Sequence, residues 1–456
     1  MSKDDCWMNN SDHSWQPPRK RSTLAGVALL SILPTFTNAK IGGVQPEDIV
    51  LLGISAIFCA RWLCGGFRLR VPEKIRFLYR GYGWLLFFLF CLAILAHRMP
   101  VFPLEDVSVL KTPVLFSISR YIQFFSVVIG FLWLADAFLK DKRRLLLALD
   151  LYWWTGIISC GYASISYVLL KVSSINILGA YDTDGAVRAR GFFNEGGPFG
   201  GYLISVVIIG LLRRRITGKR LGYLNLLICA SAFFLCESRA AFLIILMISL
   251  VSVLSAASFR KKVVYLVLAG LILAGVAFAL NVAAVFQSYL NSYQNIEQTM
   301  STMETIDPNL VMGRVAAAYI VPRMIEAHPL TGIGIGNYPL MRNDPHYLGQ
   351  LPDIRYYEDL PGLGLIGDTA EFGIPAMLFL VILLLNPYRM CERKASILGV
   401  AALFQLFAHL LVAHLTFFYP WFVTACAIAS NEYEEVKVKE PVRNFLRLMS
   451  RPPLAT

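Results

Sequence analysis

PFGGYLISVVIIGLL at residues 198–212, RRRITGKR at 213–220, LGYLNLLICASAFFLC at 221–236, ESR at 237–239 and AAFLIILMISLVSVLSAA at 240–257 read as three membrane-crossing helices in a row. Each apolar run is near the length that crosses hydrocarbon once tilt and helix ends are allowed for. The first connection carries Arg213, Arg214, Arg215, Lys219 and Arg220; the second holds Glu237 and Arg239 alone. Basic connections stay on the cytoplasmic side. The stretch therefore fixes both a fold class and an orientation.

Working outward, the pattern repeats. Apolar runs stand at 24–36, 48–63, 83–97, 118–139, 145–170 and 263–283, then at 362–386, 396–415 and 417–430. Arg61, Arg68, Arg70, Lys74, Arg76 and Arg80 crowd one connection, and Lys140, Lys142, Arg143 and Arg144 another. Arg260, Lys261 and Lys262, then Arg389, Arg393 and Lys394, crowd two more, and Lys437, Lys439, Arg443 and Arg447 lie in the tail. Every second connection is basic and the alternate ones are not, which puts both termini in the cytoplasm.

The chain is 56% hydrophobic and 16% charged over 456 residues, with mean hydropathy +0.58. A soluble domain does not need so much apolar sequence. The expected fold is all-α and polytopic, with about twelve transmembrane helices and one large outer loop. Its parts are a cytoplasmic tail at 1–21, nine helices over 22–283, the loop at 284–361, three helices over 362–430 and a second cytoplasmic tail at 431–456. The alternative for the first run is a cleaved signal segment ending near Thr37 and Ala39, which leaves the later topology unchanged. Net charge is +12, but its confinement to short connections argues for membrane orientation and against nucleic-acid binding. The nine cysteines are scattered and none falls in the large loop, so no disulfide framework supports it.

Against outer surfaces that are mildly acidic, arginines stand out. Arg188 and Arg190 precede Gly191-Phe192-Phe193-Asn194-Glu195-Gly196-Gly197-Pro198, where a helix opens at the membrane surface and favours anions. Arg239 follows Glu237 in the short turn at 237–239, and a local Glu237–Arg239 pair is the plainer reading of it. Arg314 sits near the start of an expected helix over 311–327 that contains Pro322, with carboxylates nearby in the same loop to pair with it. Arginine holds diphosphate by bidentate contacts and never loses its charge. Arg188, Arg190, Arg239 and Arg314 are therefore the candidate diphosphate ligands. A base could come from His346, Asp368 or Glu371, and the sequence leaves that choice open. Metal ligation has no pattern here: there is no HExxH, and His409 and His414 are off one helical face. No cofactor is implied. The run Gly332-Ile333-Gly334-Ile335-Gly336 lacks the Gly-Lys-Ser/Thr ending of a phosphate loop and reads as a tight turn.

In order, Arg190-Gly191-Phe192-Phe193-Asn194, Ser238-Arg239-Ala240, Gly313-Arg314, the run Pro329–Tyr338 and Ala370-Glu371-Phe372-Gly373-Ile374-Pro375 resemble the O-antigen ligase/polymerase superfamily of bacterial envelope glycosyltransferases. The resemblance implies a GT-C-like fold in the inner membrane with the large loop periplasmic. It also implies a metal-independent glycosyltransferase that takes an undecaprenyl-diphosphate-linked glycan. Arg190, Arg314, His346 and Glu371 are then the candidate catalytic residues. Ligases of the superfamily usually place a histidine about nine residues before the position matching Glu371, and here that place is near Gly362. The departure favours a polymerase of repeat units, for O-antigen or exopolysaccharide, over a ligase that loads lipid A-core. A flippase or exporter of the same lipid-linked glycans is the alternative from another class, and a non-catalytic envelope scaffold a further one. Membrane lipids, a flippase and a chain-length regulator are the implied partners.

Overall fold

In a computed structural model, residues 20–37, 45–64, 75–95, 113–183, 186–256, 314–349, 363–390 and 397–433 are described, with a few isolated positions between them. Nearly all of the expected span at 263–283, most of both tails, Arg355 and most of the large loop before Arg314 lie outside the described residues.

The first half of the chain is a run of long helices. They are α1 (Lys20–Ile32), α2 (Pro46–Leu63), α3 (Arg76–Leu95), α4 (Pro113–Lys140) and α5 (Lys142–Ser173). A hairpin of β1 (Ala180–Thr183) and β2 (Ala186–Ala189) follows, then α6 (Gly196–Thr217), α7 (Tyr223–Leu235) and α8 (Arg239–Ala256). Within the large loop stand α9 (Arg314–Ala327) and the single turns α10 (Tyr338–Met341) and α11 (Pro345–Leu348); after it come α12 (Leu365–Phe372), α13 (Ile374–Arg389) and α14 (Ile397–Leu411). A last helix, α15, runs over 419–433. Among the described residues, four helices are long and apolar enough to cross a membrane: Arg76–Leu95, Ser117–Lys140, Lys142–Ser173 and Gly196–Thr217.

The expected span at 362–386 is not one helix. It breaks at Gly373, whose backbone is left-handed (φ +78) and whose N–H caps α12 by donating to Thr369 O at 2.9 Å. Pro375 in the first turn of α13 suits a fresh helix start and not a continuation. At the opposite kind of joint, α4 and α5 are separated only by Asp141, whose side chain accepts the Arg143 N–H at 3.0 Å and caps α5.

Helices in lipid gain nothing from excluding water, so they associate by close packing at small residues. A Cβ at Gly210 would stand 2.4 Å from the Trp153 ring, and one at Gly156 would stand 2.6 Å from a Val206 methyl. Those two glycines let α5 and α6 meet. Hydroxyls inside the bundle find partners across helices, as Thr35 Oγ1 with Tyr202 Oη at 2.7 Å and Tyr152 Oη with Ser205 Oγ at 2.5 Å. The helices then sort their charges to one end. Arg213 pairs with Asp150 there, Lys140 with Asp136 at 2.6 Å, and Tyr433 donates to Phe138 O at 2.7 Å. Lys142 stands over the Tyr433 ring.

The other end carries a second, smaller core. Val315, Ala316, Ile320, Val321 and Met324 of α9 pack with Ile333, Tyr338, Tyr347 and Leu348, and Ala370 of α12 closes it. The glycine run docks this cap onto α12. Ile333 N–H donates to Ala370 O at 2.8 Å, Gly334 N–H to Glu371 O at 3.0 Å, and Ile374 N–H to Pro329 O at 2.8 Å. Gly332 (φ +61) and Gly373 approach so closely that a Cβ on either would lie 2.4 Å from a carbonyl oxygen of the other segment.

The left-handed backbone alone penalises a side chain there by roughly 1–2 kcal/mol, and the backbone clash adds to it. Gly373→Ala is expected to lower the thermal midpoint of the detergent-solubilised protein. Gly53→Ala, with nothing within 4 Å of the added carbon, is expected to leave it unchanged.

Candidate functional site

Two constellations form at the cap end of the bundle. The first grows from the β hairpin. Tyr181 lies opposite Arg188 across the two strands, and both Arg190 N–H and Gly191 N–H donate to Gly179 O, at 2.9 and 3.0 Å. This turn leads into α6, and Gly196 passes against Cys236 at the end of α7, where a Cβ would meet the Cys236 carbonyl oxygen at 2.7 Å. The turn between α7 and α8 is thereby pressed against the hairpin. Glu237 in that turn is a non-glycine residue with φ +48, a conformation that needs support from its surroundings.

The arginines follow from this backbone. Arg188 Nε stands 3.6 Å from Glu237 Oε2, so the acid expected to pair with its near neighbour Arg239 faces Arg188 instead. Arg190 donates from Nε to Leu178 O at 3.0 Å and from Nη1 to Asn194 O at 3.1 Å, with its guanidinium over the Tyr181 ring at 5.5 Å. Those contacts fix the fork and leave Nη2 for a ligand. Arg239 is exposed at the first turn of α8, and no described residue pairs with its guanidinium. Of these arginines only Arg188 faces a carboxylate, which leaves Arg190 and Arg239 suited to a phosphorylated group.

The second constellation lies under the cap. Glu371 is buried, and its two oxygens accept the N–H groups of Gly336 at 2.9 Å and Tyr338 at 3.0 Å. Asn337 between them receives a hydrogen bond from Ser117 Oγ of α4 at 2.7 Å and donates to Ile333 O at 2.7 Å. One helical turn before Glu371, buried Asp368 meets His414 Nε2 through Oδ1 at 3.3 Å. A small cavity opens here, lined by Arg120, Gly336, Glu371, His414 and Thr416 over a floor that includes Phe124. From Arg120 a polar chain runs on into the bundle, through Gln123 at 3.2 Å to Asp48 at 3.1 Å. Among the described residues, no group of three or more His, Cys, Asp or Glu side chains is disposed to hold a metal ion.

The segment at 412–419 stands between the two constellations. Tyr419 Oη donates to Pro198 O at 3.4 Å behind the Arg190 turn, while His414 and Thr416 of the same segment face the cavity. The structure thus pairs Arg188 with Glu237, sets Arg190 in the turn after the same hairpin and Arg239 two residues beyond Glu237, and separately gathers Glu371, Asp368 and His414. It does not bring His346 to either group: that residue is exposed on α11, its N–H donating to Asp344 at 2.9 Å and its ring edge-on to Tyr347. Arg314 opens α9, and its side chain lies outside the described residues.

Sequence reasoning missed Arg120 and the pairing of His414 with Asp368. A cation three residues inside the apolar run at 118–139 was the available signal for Arg120, because ionisable groups in such runs are rarely idle. Nothing in the spacing of Asp368 and His414 announces that they meet. Residues 224–381 match the family model described as O-Antigen ligase. The match supports the likeness of this stretch to the O-antigen ligase/polymerase superfamily. It takes in Arg239, Arg314, the glycine run and Glu371, whereas Arg188, Arg190 and His414 fall outside it. The likeness implies a glycosyl-transferring kind of activity and suggests a lipid-linked glycan in a membrane as substrate. No curated protein matches the chain significantly.

Glu371→Gln tests the cap's attachment. An amide offers one acceptor oxygen and turns its NH2 toward the second backbone N–H, leaving a buried donor unsatisfied at about 1–3 kcal/mol. The expected outcome is a lower thermal midpoint and faster proteolysis within Pro329–Arg342, read by limited digestion in detergent.

Proposed function

We propose that this protein polymerises undecaprenyl-diphosphate-linked oligosaccharide repeat units into O-antigen or exopolysaccharide. It works at the periplasmic face of the bacterial inner membrane, with both termini in the cytoplasm. The observation that carries the reading is the placement of an arginine cluster and a titratable cavity at one end of the bundle, on either side of a shared segment. The opposite end holds Lys140, Lys142 and Arg213, as expected of a cytoplasmic face.

In this reaction an acceptor sugar hydroxyl attacks the anomeric carbon of a lipid-linked glycan. The new carbon–oxygen bond forms as the bond to diphosphate breaks, and the leaving group departs with that electron pair. Arg188, Arg190, Arg239 and Arg314 take up the charge that develops on it, which does the work of a metal ion without one. Glu371 serves by holding the glycine run in place, since both its oxygens are already engaged by backbone N–H groups. The cap over the site limits water, which would otherwise compete with the sugar acceptor.

The second reading is a ligase that moves the glycan to lipid A-core, favoured by the description of the matching family. The lack of a histidine near Gly362 weighs against it. A flippase or exporter would instead need polar groups along a path across the membrane.

Full-length protein in liposomes with undecaprenyl-diphosphate oligosaccharide decides among these. A ladder of longer lipid-linked glycans is the expected product, whereas transfer onto added lipid A-core alone would establish the ligase. Arg190→Ala and Arg239→Ala are each expected to lower the rate at least 100-fold at unchanged membrane abundance, and Arg190→Lys to recover little of it. Full activity in both alanine variants would remove the diphosphate clamp from the mechanism.

A further inference from the structure

The cavity beside Gly336 contains a hydroxyl, an imidazole and a carboxylate in a line. Thr416 Oγ1 lies 2.9 Å from His414 Nδ1, and the Thr416 N–H donates to the same nitrogen at 3.3 Å. A nitrogen that receives an N–H presents its lone pair. In the neutral ring the proton therefore sits on Nε2, which donates to Asp368 Oδ1 at 3.3 Å. The Thr416 hydroxyl in turn donates to Nδ1 and keeps its own lone pairs for a donor arriving from the cavity, which both residues line. Asp368 is buried, and its Oδ2 has no hydrogen-bond partner among the described residues. A buried carboxylate behind an imidazole fixes the ring's tautomer and stabilises the cation that forms when the ring takes a proton.

We propose that Thr416, backed by His414 and Asp368, accepts the proton of the attacking sugar hydroxyl. The inference rests on the glycosyl-transfer reading above and names the group that reading leaves open. In the step, the acceptor oxygen bonds to the anomeric carbon while its proton passes to Thr416 Oγ1. The Thr416 proton passes to His414 Nδ1, and the resulting imidazolium is held against Asp368. The bond from the anomeric carbon to the diphosphate oxygen breaks, and that oxygen keeps the electron pair. His414 then releases its proton to solvent or to the departing diphosphate. Thr416 is the catalytic residue in this scheme; His414 and Asp368 are positioning residues that act through it.

The ionisable groups around His414 shape its response to pH. Asp368 and Glu371 face it from α12, His409 from α14 and Arg120 from α4 across the cavity. Glu47, buried at the start of α2, faces the same segment at Phe418. A ring that must be neutral to accept a proton gives a rate that falls on the acid side.

The test measures kcat, KM for the lipid-linked donor and the pH–rate profile of full-length protein in liposomes. Thr416→Val is expected to lower kcat about 100-fold, the lower end of general acid–base effects, with KM within twofold of wild type. Thr416→Ser is expected to restore most of the rate. His414→Gln is expected to lower kcat similarly and to abolish the acid limb of the profile, and Asp368→Asn to lower kcat as well. Where Thr416→Val does not accumulate in membranes, His414→Gln and the Thr416→Ser profile decide. Wild-type kcat in Thr416→Val, or in His414→Gln with the acid limb intact, overturns the relay and leaves the glycosyl-transfer reading standing. A wild-type protein that neither lengthens the glycan nor transfers it to lipid A-core overturns that reading, and the relay falls with it.

Discussion

The Glu371 carboxylate, together with the backbone hydrogen bonds on either side of it, sets the register between two bodies. On one side is a bundle whose surface is solvated by lipid; on the other is a small cap with its own apolar core. Two charge-assisted hydrogen bonds from Gly336 and Tyr338 cross that seam, and such bonds are about twice as strong as neutral ones. They suit the seam because they are directional. Apolar packing alone would let the cap slide, while a carboxylate receiving two successive-turn N–H groups sets one register. The glycine run is then required for a second reason, since a Cβ at Gly332 would collide with the α12 end and hold the neighbouring N–H groups away from it.

The bundle solves a different problem. Within hydrocarbon every polar group needs a partner from the protein itself, and the hydroxyls of Thr35, Tyr202, Tyr152 and Ser205 meet that demand across helices. The charged groups are left for the two ends. At one end they are paired and basic. At the other they are gathered by tight backbone approaches, with Gly196 against Cys236 and Gly336 against Arg120, so that residues distant in the chain converge on small volumes.

Much of this was legible in the sequence because hydropathy and the distribution of arginine and lysine are one-dimensional signals. The helices at 118–139, 145–170 and 198–212 stand where their apolar runs lie. The hairpin arginines and Arg239 come to the same end of the bundle, as alternation of basic loops requires. The partner of Glu237 was not legible: neighbours in sequence suggested Arg239, yet packing of the α7–α8 turn on the hairpin presents Arg188 to it. The break at Gly373 was hidden too, because Ile374 to Leu385 is apolar on either reading and only the backbone angle of one glycine ends the helix. Asp368 lies on α12 and His414 in the connection between α14 and α15, and side-chain spacing along the chain carries no record of such a meeting.

The segment at 412–419 has one face toward the Arg190 turn and another toward the cavity. A wall common to two sites makes their energies inseparable. Any ligand that shifts the segment from one side alters what the other side binds, and the coupling is of equal size in both directions. A donor held by the arginines and an acceptor that meets it from the cavity side would then bind cooperatively, through the one segment that both approach.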